Sequence, residues 1–139
     1  MTDQGLLDTS TVVLLSRLRD PELLPDEPLI STITLAELSV GPLVATDERE
    51  RASRQAVLQE TEASFVPVDF DAAAARAFGR VATALRKAGR KPSARGFDAL
   101  IAAVAISRGI PVYTCNPADF AAIDDLDVRP VPHPDDPTR

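Results

Sequence analysis

Gly5-Leu6-Leu7-Asp8-Thr9-Ser10-Thr11-Val12-Val13-Leu14-Leu15 is an apolar run, cut by a polar cluster and then resumed. The first run is too short for a helix and ends in turn-forming residues, so it reads as a buried strand. The stretch from Thr11 to Leu18 reads as the helix that follows it. The same alternation repeats along the chain. Pro28 to Ser31 predicts a second strand, and Thr34 to Ala45 a helix interrupted or bent at Gly41-Pro42. Asp47 to Ala63 predicts an exposed helix whose weak apolar side is Ala52, Ala56, Val57 and Leu58. Phe65 to Val68 reads as a third strand, and Asp71 as the N-cap of a helix running to about Ala88. Phe97 to Arg108 is the most apolar helix, closed by Gly109. Pro111 to Thr114 is a fourth strand, Pro117 to Ile123 a short helix, and Val128 to Val131 a fifth strand at an edge.

Short, continuously apolar strands that alternate with helices imply a parallel sheet covered on both faces. The expected fold is α/β, a three-layer α/β/α sandwich with a mostly parallel sheet of four to five strands. One domain over residues 1–131 and a flexible tail over 132–139 complete the reading.

Composition narrows the chemistry. The 139 residues are 45% hydrophobic and 26% charged, which excludes wholesale disorder and fits one domain. The longest apolar run, Ala99 to Ile106, is far below the roughly 20 residues a membrane helix needs. The chain opens on Met1-Thr2-Asp3-Gln4 without a secretory pattern, and its single cysteine, Cys115, makes no internal disulfide, so a cytoplasmic setting is expected. One His and one Cys cannot build zinc coordination of about four N or S ligands. His133 lies in a Pro-rich segment unsuited to a catalytic base. Catalysis must therefore use carboxylates, hydroxyls and a cation.

Net charge is −6, yet no acid lies between Asp71 and Asp98, where Arg76, Arg80, Arg86, Lys87, Arg90, Lys91 and Arg95 all fall. This is a local basic stretch on an acidic protein. It serves equally as a solvated helix face and loop or as a surface for phosphates.

The acids show a pattern of position. Asp8, Glu37, Asp98 and Asp119, with Asn116, each follow a strand or open a helix. In a parallel sheet such positions converge on the carboxyl edge, where sites form. Each also has a structural reading. Asp8 serves as an N-cap, and Thr34-x-x-Glu37 matches a capping box. Asn116-Pro117-Ala118-Asp119 matches an N-cap, N1 and N3 series. Asp98 is set among Phe97, Ala99, Leu100 and Ile101, and burying a lone carboxylate is costly unless it is paired or binds a cation. Carboxylates about 4 Å apart repel by about 4 kcal/mol at an effective dielectric of about 20, so a cluster of them calls for a counter-cation. Oxygen ligands without histidine select Mg²⁺ or Mn²⁺, and such an ion suits phosphodiester hydrolysis.

On these residues the chain resembles the PIN-domain family, and most closely the VapC-type toxins of bacterial toxin-antitoxin pairs. The matching segments are Leu6-Leu7-Asp8-Thr9-Ser10, Ser31-x-x-Thr34-x-Ala36-Glu37-Leu38-x-x-Gly41, Val66-Pro67-Val68-Asp69, Phe97-Asp98-Ala99-Leu100-Ile101-Ala102-Ala103 and Thr114-x-Asn116-x-x-Asp119-Phe120. The resemblance implies an Mg²⁺- or Mn²⁺-dependent endoribonuclease that leaves 5′-phosphate and 3′-hydroxyl ends. It carries the acidic ligands over to Asp8, Glu37 and Asp98. Members place a fourth acid either where Asn116 stands or at Asp119, and with a neutral amide at Asn116 the carboxylate is Asp119. Thr9 or Thr114 would orient Asp8, and Asn116 would hydrogen-bond water or substrate. The resemblance further implies a homodimer and a cognate VapB-type antitoxin that blocks the acidic pocket. Arg86, Lys87, Arg90, Lys91 and Arg95 are the candidate RNA contacts. The competing expectation is a catalytically silent module of the same fold that binds protein or RNA.

Overall fold

The structure is a computed structural model and describes residues 3–91 and 96–136. Its centre is a four-stranded, fully parallel sheet in the order β2-β1-β3-β4, built from β1 Gln4–Leu7, β2 Glu27–Leu29, β3 Val112–Thr114 and β4 Val128–Pro130. The helices are α1 Thr9–Leu14, α2 Thr32–Val44, α3 Glu48–Ser64, α4 Ala72–Lys87 and α5 Gly96–Arg108. Short 3₁₀ turns occupy Leu15–Arg17, Pro21–Leu23 and Pro117–Phe120.

Neighbouring residues in a strand point to opposite faces, and the core follows that rule. Leu6, Val112 and Leu29 pack with Val81 and Leu85 of α4 and with Ile101 and Val104 of α5. Leu7, Tyr113 and Ile30 pack on the other side with Val12, Leu38 and Val57. The central strands β1 and β3 are thus apolar on both faces, and the expected three-layer sandwich is present.

The differences from expectation are local. The third predicted strand, Phe65–Val68, contributes one parallel bridge, Ser31 to Val68. Val68 donates to the Ile30 carbonyl at 2.8 Å and accepts from Thr32 at 2.9 Å. Pro67 has no N–H to add to a ladder, and Val66 is 87% exposed. Helix α2 is not interrupted at Gly41-Pro42 but runs through to Val44. Pro42 lies near its end and is buried. Arg54 of α3 donates to the Gly41 carbonyl at 2.9 Å, one of the terminal carbonyls that has no partner within the helix. Arg54 is itself paired with Glu50.

Gly89 and Gly109 take φ of 74° and 66° just beyond α4 and α5, the left-handed turn that glycine supplies at helix ends. Residues 132–136 run back over the start of the chain. Arg19 donates to the Pro134 carbonyl at 2.8 Å, and Arg17 pairs with Asp135 at 2.5 Å. No helix among the described residues is long and apolar enough to cross a membrane.

Candidate active site

All four strands run the same way, so the residues that follow β1, β2 and β3 emerge at one edge. Asp8 follows β1 directly and caps α1 in extended backbone conformation. It is 2% exposed, and its carboxylate accepts four hydrogen bonds. Oδ1 takes the Thr11 backbone N–H at 3.2 Å and the Thr11 hydroxyl at 2.5 Å. Oδ2 takes the Thr114 hydroxyl at 2.8 Å and the Ser10 hydroxyl at 2.9 Å. The N-cap reading of Asp8 therefore holds, but it uses only one of the four donors.

The network extends to Asn116. Its Nδ2 donates to Ser10 Oγ at 3.0 Å, and its backbone N–H donates to Thr114 Oγ1 at 2.9 Å. Asn116 stands at the N-cap position of the 3₁₀ turn, yet its side chain makes no capping bond. It steadies the hydroxyls that hold Asp8.

Glu37 is not the second half of a capping box. Ser31 caps α2 by accepting from Thr34 N at 3.3 Å, which places Glu37 a turn further in. Its Oε1 instead accepts from the Thr9 hydroxyl at 2.6 Å, and Thr9 lies 3.0 Å from the Thr34 hydroxyl. Thr9 thus orients Glu37, while Thr114 reaches Asp8. Burial raises the pKa of Glu37, the Thr9 bond partly opposes it, and the negative charge of Asp8 raises it further. The two carboxylates feel each other's charge.

Asp98 lies in the first turn of α5. That helix of 13 residues is about 20 Å long and leads into β3, so its first turn stands toward the carboxyl edge. The sequence sets Asp98 among apolar neighbours where burial would be costly; in the structure it is half-buried, beside an exposed Phe97. Asp119 is half-buried in the 3₁₀ turn after β3, its N–H donating to the Asn116 carbonyl at 3.1 Å. Among the described residues, no three Asp, Glu, His or Cys side chains stand close enough to hold a metal ion as they are oriented. The donor chemistry nonetheless fits a hard divalent cation: Asp8 and Glu37 are coupled by charge and are surrounded by hydroxyls and an amide. The Cys115 thiol lines a separate cavity of about 230 Å³ with Leu23, Val131 and His133, and burial raises its pKa.

Two surfaces adjoin the edge. A groove of about 290 Å³ opens beside Thr9 and Glu37, with Val13, Leu38 and Val57 in its wall. Arg86, Lys87, Arg90 and Lys91 are exposed, and Arg90 reaches the Ala118 carbonyl at 3.4 Å, next to Asp119. Arg95 lies outside the described residues. Arg76, Arg80 and Lys87 line a groove of about 530 Å³ together with Asp124 and Asp125, and there Arg80 is compensated. Arg80 is 3.6 Å from Asp125.

The sequence reading missed Ser10, Thr11 and Thr34. The available signal was the run of three hydroxyl residues, Thr9-Ser10-Thr11, directly behind a strand-end acid. Such a run also reads as an ordinary turn.

Residues 6–126 match the PIN domain family model. The chain is 42% identical over 123 residues to Ribonuclease VapC5 of Mycobacterium tuberculosis, covering 86% of this chain and 87% of the relative. It is 30% identical over 107 residues to Ribonuclease VapC of Rickettsia bellii, covering 77% and 78%. Among solved structures, that of VapBC-5, a member of the VapBC family of toxin-antitoxin systems from Mycobacterium tuberculosis, superposes with a TM-score of 0.80 at 38% identity, covering 92% of this chain and 98% of that one. The structure of DNA-bound VapBC from Salmonella typhimurium matches with a TM-score of 0.67 at 26% identity, covering 92% and 97%. By its fold, its strand-end acids and matches that span most of its length, the chain belongs to the PIN-domain family, among the VapC ribonucleases.

Proposed function

We propose that this protein is an endoribonuclease toxin that cleaves RNA phosphodiester bonds with Mg²⁺ or Mn²⁺ and is neutralised by a VapB-type antitoxin. The observation that carries the reading is the pair of carboxylates at the carboxyl edge, Asp8 oriented by Thr11, Thr114 and Ser10 and Glu37 oriented by Thr9. Asp8 and Asp98 would hold an ion directly, with Glu37 and Asp119 completing the set. When bound, such an ion would neutralise charge building on the phosphoryl oxygens and lower the pKa of a water, so that loss of its proton yields the nucleophile for phosphorus.

The chain's own residues divide the remaining work. Asp8 is held rigid by its donors. Glu37 has one oxygen fixed by Thr9, and its raised proton affinity suits it to take a proton from the attacking water. Asn116 commits its amide N–H to Ser10, which leaves its carbonyl oxygen to accept from water or substrate. Arg86, Lys87, Arg90 and Lys91 would meet RNA phosphates, interactions that give affinity without sequence information. Homodimerisation and capture by the antitoxin belong to the same reading, and the apolar groove beside Glu37 offers a seat for an antitoxin segment. A silent binding module is the competing reading, favoured by the absence of a ready-formed three-acid cluster among the described residues.

The test is cleavage of a pool of structured cellular RNAs by antitoxin-free protein with Mg²⁺, Mn²⁺ or chelator, beside Asp98→Asn. Metal-dependent cleavage that disappears in the folded variant is the expected result. No cleavage, with no metal-induced rise in melting temperature, selects the silent module.

A further inference from the structure

We infer that Thr11 is a positioning residue for Asp8: its hydroxyl locks Oδ1 and leaves Oδ2 as the oxygen offered to a cation or water. The inference rests on the nuclease reading above and concerns a residue outside its acidic set.

Thr11 has no exposed surface. Its one hydroxyl proton has two acceptors in range, Asp8 Oδ1 at 2.5 Å and the Tyr113 carbonyl at 3.5 Å. The shorter of the two takes the proton. The hydroxyl oxygen in turn accepts from Cys115 N at 3.1 Å. A single side chain therefore ties together the end of β1, the first turn of α1 and the end of β3. The Cys115 N–H also polarises the hydroxyl, which makes it a stronger donor to the carboxylate.

The two oxygens of Asp8 consequently have unequal surroundings. Both donors to Oδ1 belong to Thr11, inside the buried first turn of α1. The N–H cannot leave without opening the helix, and the hydroxyl oxygen is held in place by the Cys115 N–H that donates to it. The donors to Oδ2 are the hydroxyls of Thr114 and of half-buried Ser10, and hydroxyls rotate. Among the described residues, the Oδ2 side leads through half-buried Ser10 to half-buried Asn116, whereas both Oδ1 donors belong to fully buried Thr11. Valine at position 11 keeps the shape, removes the donor and leaves the buried Cys115 N–H without its acceptor.

Mn²⁺ binding to the full antitoxin-free chain, read from the loss of the free-ion spin-resonance signal, tests this in wild type, Asp8→Asn, Thr11→Val and Thr11→Ser. Metal-free melting temperatures are measured alongside. Thr11→Val is expected to weaken Mn²⁺ binding by about 10- to 100-fold, the usual effect of losing a group that holds a metal ligand, and Thr11→Ser to restore it. If Thr11→Val does not fold, Thr11→Ala replaces it. A folded hydroxyl-free variant that melts lower but binds Mn²⁺ like wild type would make Thr11 merely structural and overturn the inference. So would a folded Thr11→Ser as weak as Thr11→Val. Wild type and Asp8→Asn binding alike would instead overturn the nuclease reading, and the role of Thr11 with it.

Discussion

Replacing Asp8 changes two properties at once, because the same carboxylate caps α1 and sits at the centre of the acidic edge. Asp8→Ala strands buried donors from Thr11 and Thr114, and an unsatisfied buried group costs about 1–3 kcal/mol. We expect this variant to lose cleavage and also to lower the denaturation midpoint by about that free energy, whereas half-buried Asp98→Asn loses cleavage with little change in midpoint. Equal midpoints for Asp8→Ala and wild type would contradict the network. Glu37 makes a pH-dependent prediction. Its folded pKa is raised, so its charged form costs stability at neutral pH, and that cost disappears as pH falls through the folded pKa and below the ordinary carboxylate value. Glu37→Gln should melt above wild type at pH 7, with the gap closing toward pH 4. A variant that melts below wild type at pH 7 would refute it. The acids themselves were legible, since each follows a strand or opens a helix. The role of Glu37 was harder to read, because Ser31 and Thr34 are both plausible caps three residues apart and only the fold shows that Ser31 takes the position.

At the level of elements, the tightest constraint is where the central strand passes under Tyr113. A Cβ on Gly5 would fall 2.3 Å from the Tyr113 ring and 3.0 Å from Pro25 Cγ. Gly5→Ala must therefore displace the buried Tyr113 ring or part β1 from β3, the strand that carries Thr114 and leads to Asn116. Overpacking of this kind costs about 1–3 kcal/mol, to be read by chemical denaturation, and an unchanged midpoint would contradict the close approach. Strand and helix identities were largely readable because short apolar runs alternate with amphipathic ones. The shortfall at Phe65–Val68 was not, since β-branched and aromatic residues signal strand propensity whether or not a partner lies alongside. Likewise Gly41-Pro42 reads as a break, but the helix ends only two residues beyond Pro42, and Arg54, from a different helix, donates to the terminal Gly41 carbonyl.

For the molecule as a whole, the proposed cleavage of RNA sets a net charge of −6 against a polyanionic substrate. On that proposal the exposed cations at Arg86, Lys87, Arg90 and Lys91 would meet it locally, whereas Arg80 is engaged by Asp125. Neutralising those four residues should flatten the salt dependence of RNA binding, by about 0.7 in logarithmic slope for each single-strand phosphate that a side chain no longer neutralises. An unchanged slope would remove the basic stretch from the RNA surface. The layered architecture was legible from the chain because short apolar runs, buried on both faces in β1 and β3, alternate with helices. How near the four acids come to one another was not, since it depends on side-chain orientation at three separate strand ends. We propose that a cation draws these acids onto one ion, and anomalous diffraction from crystals soaked in Mn²⁺ is the measurement that decides it. A manganese peak is expected at the carboxyl edge, bound by Asp8 and Asp98 with Glu37 and Asp119 around it. A soaked crystal with no peak there, or with the ion held elsewhere, would contradict it.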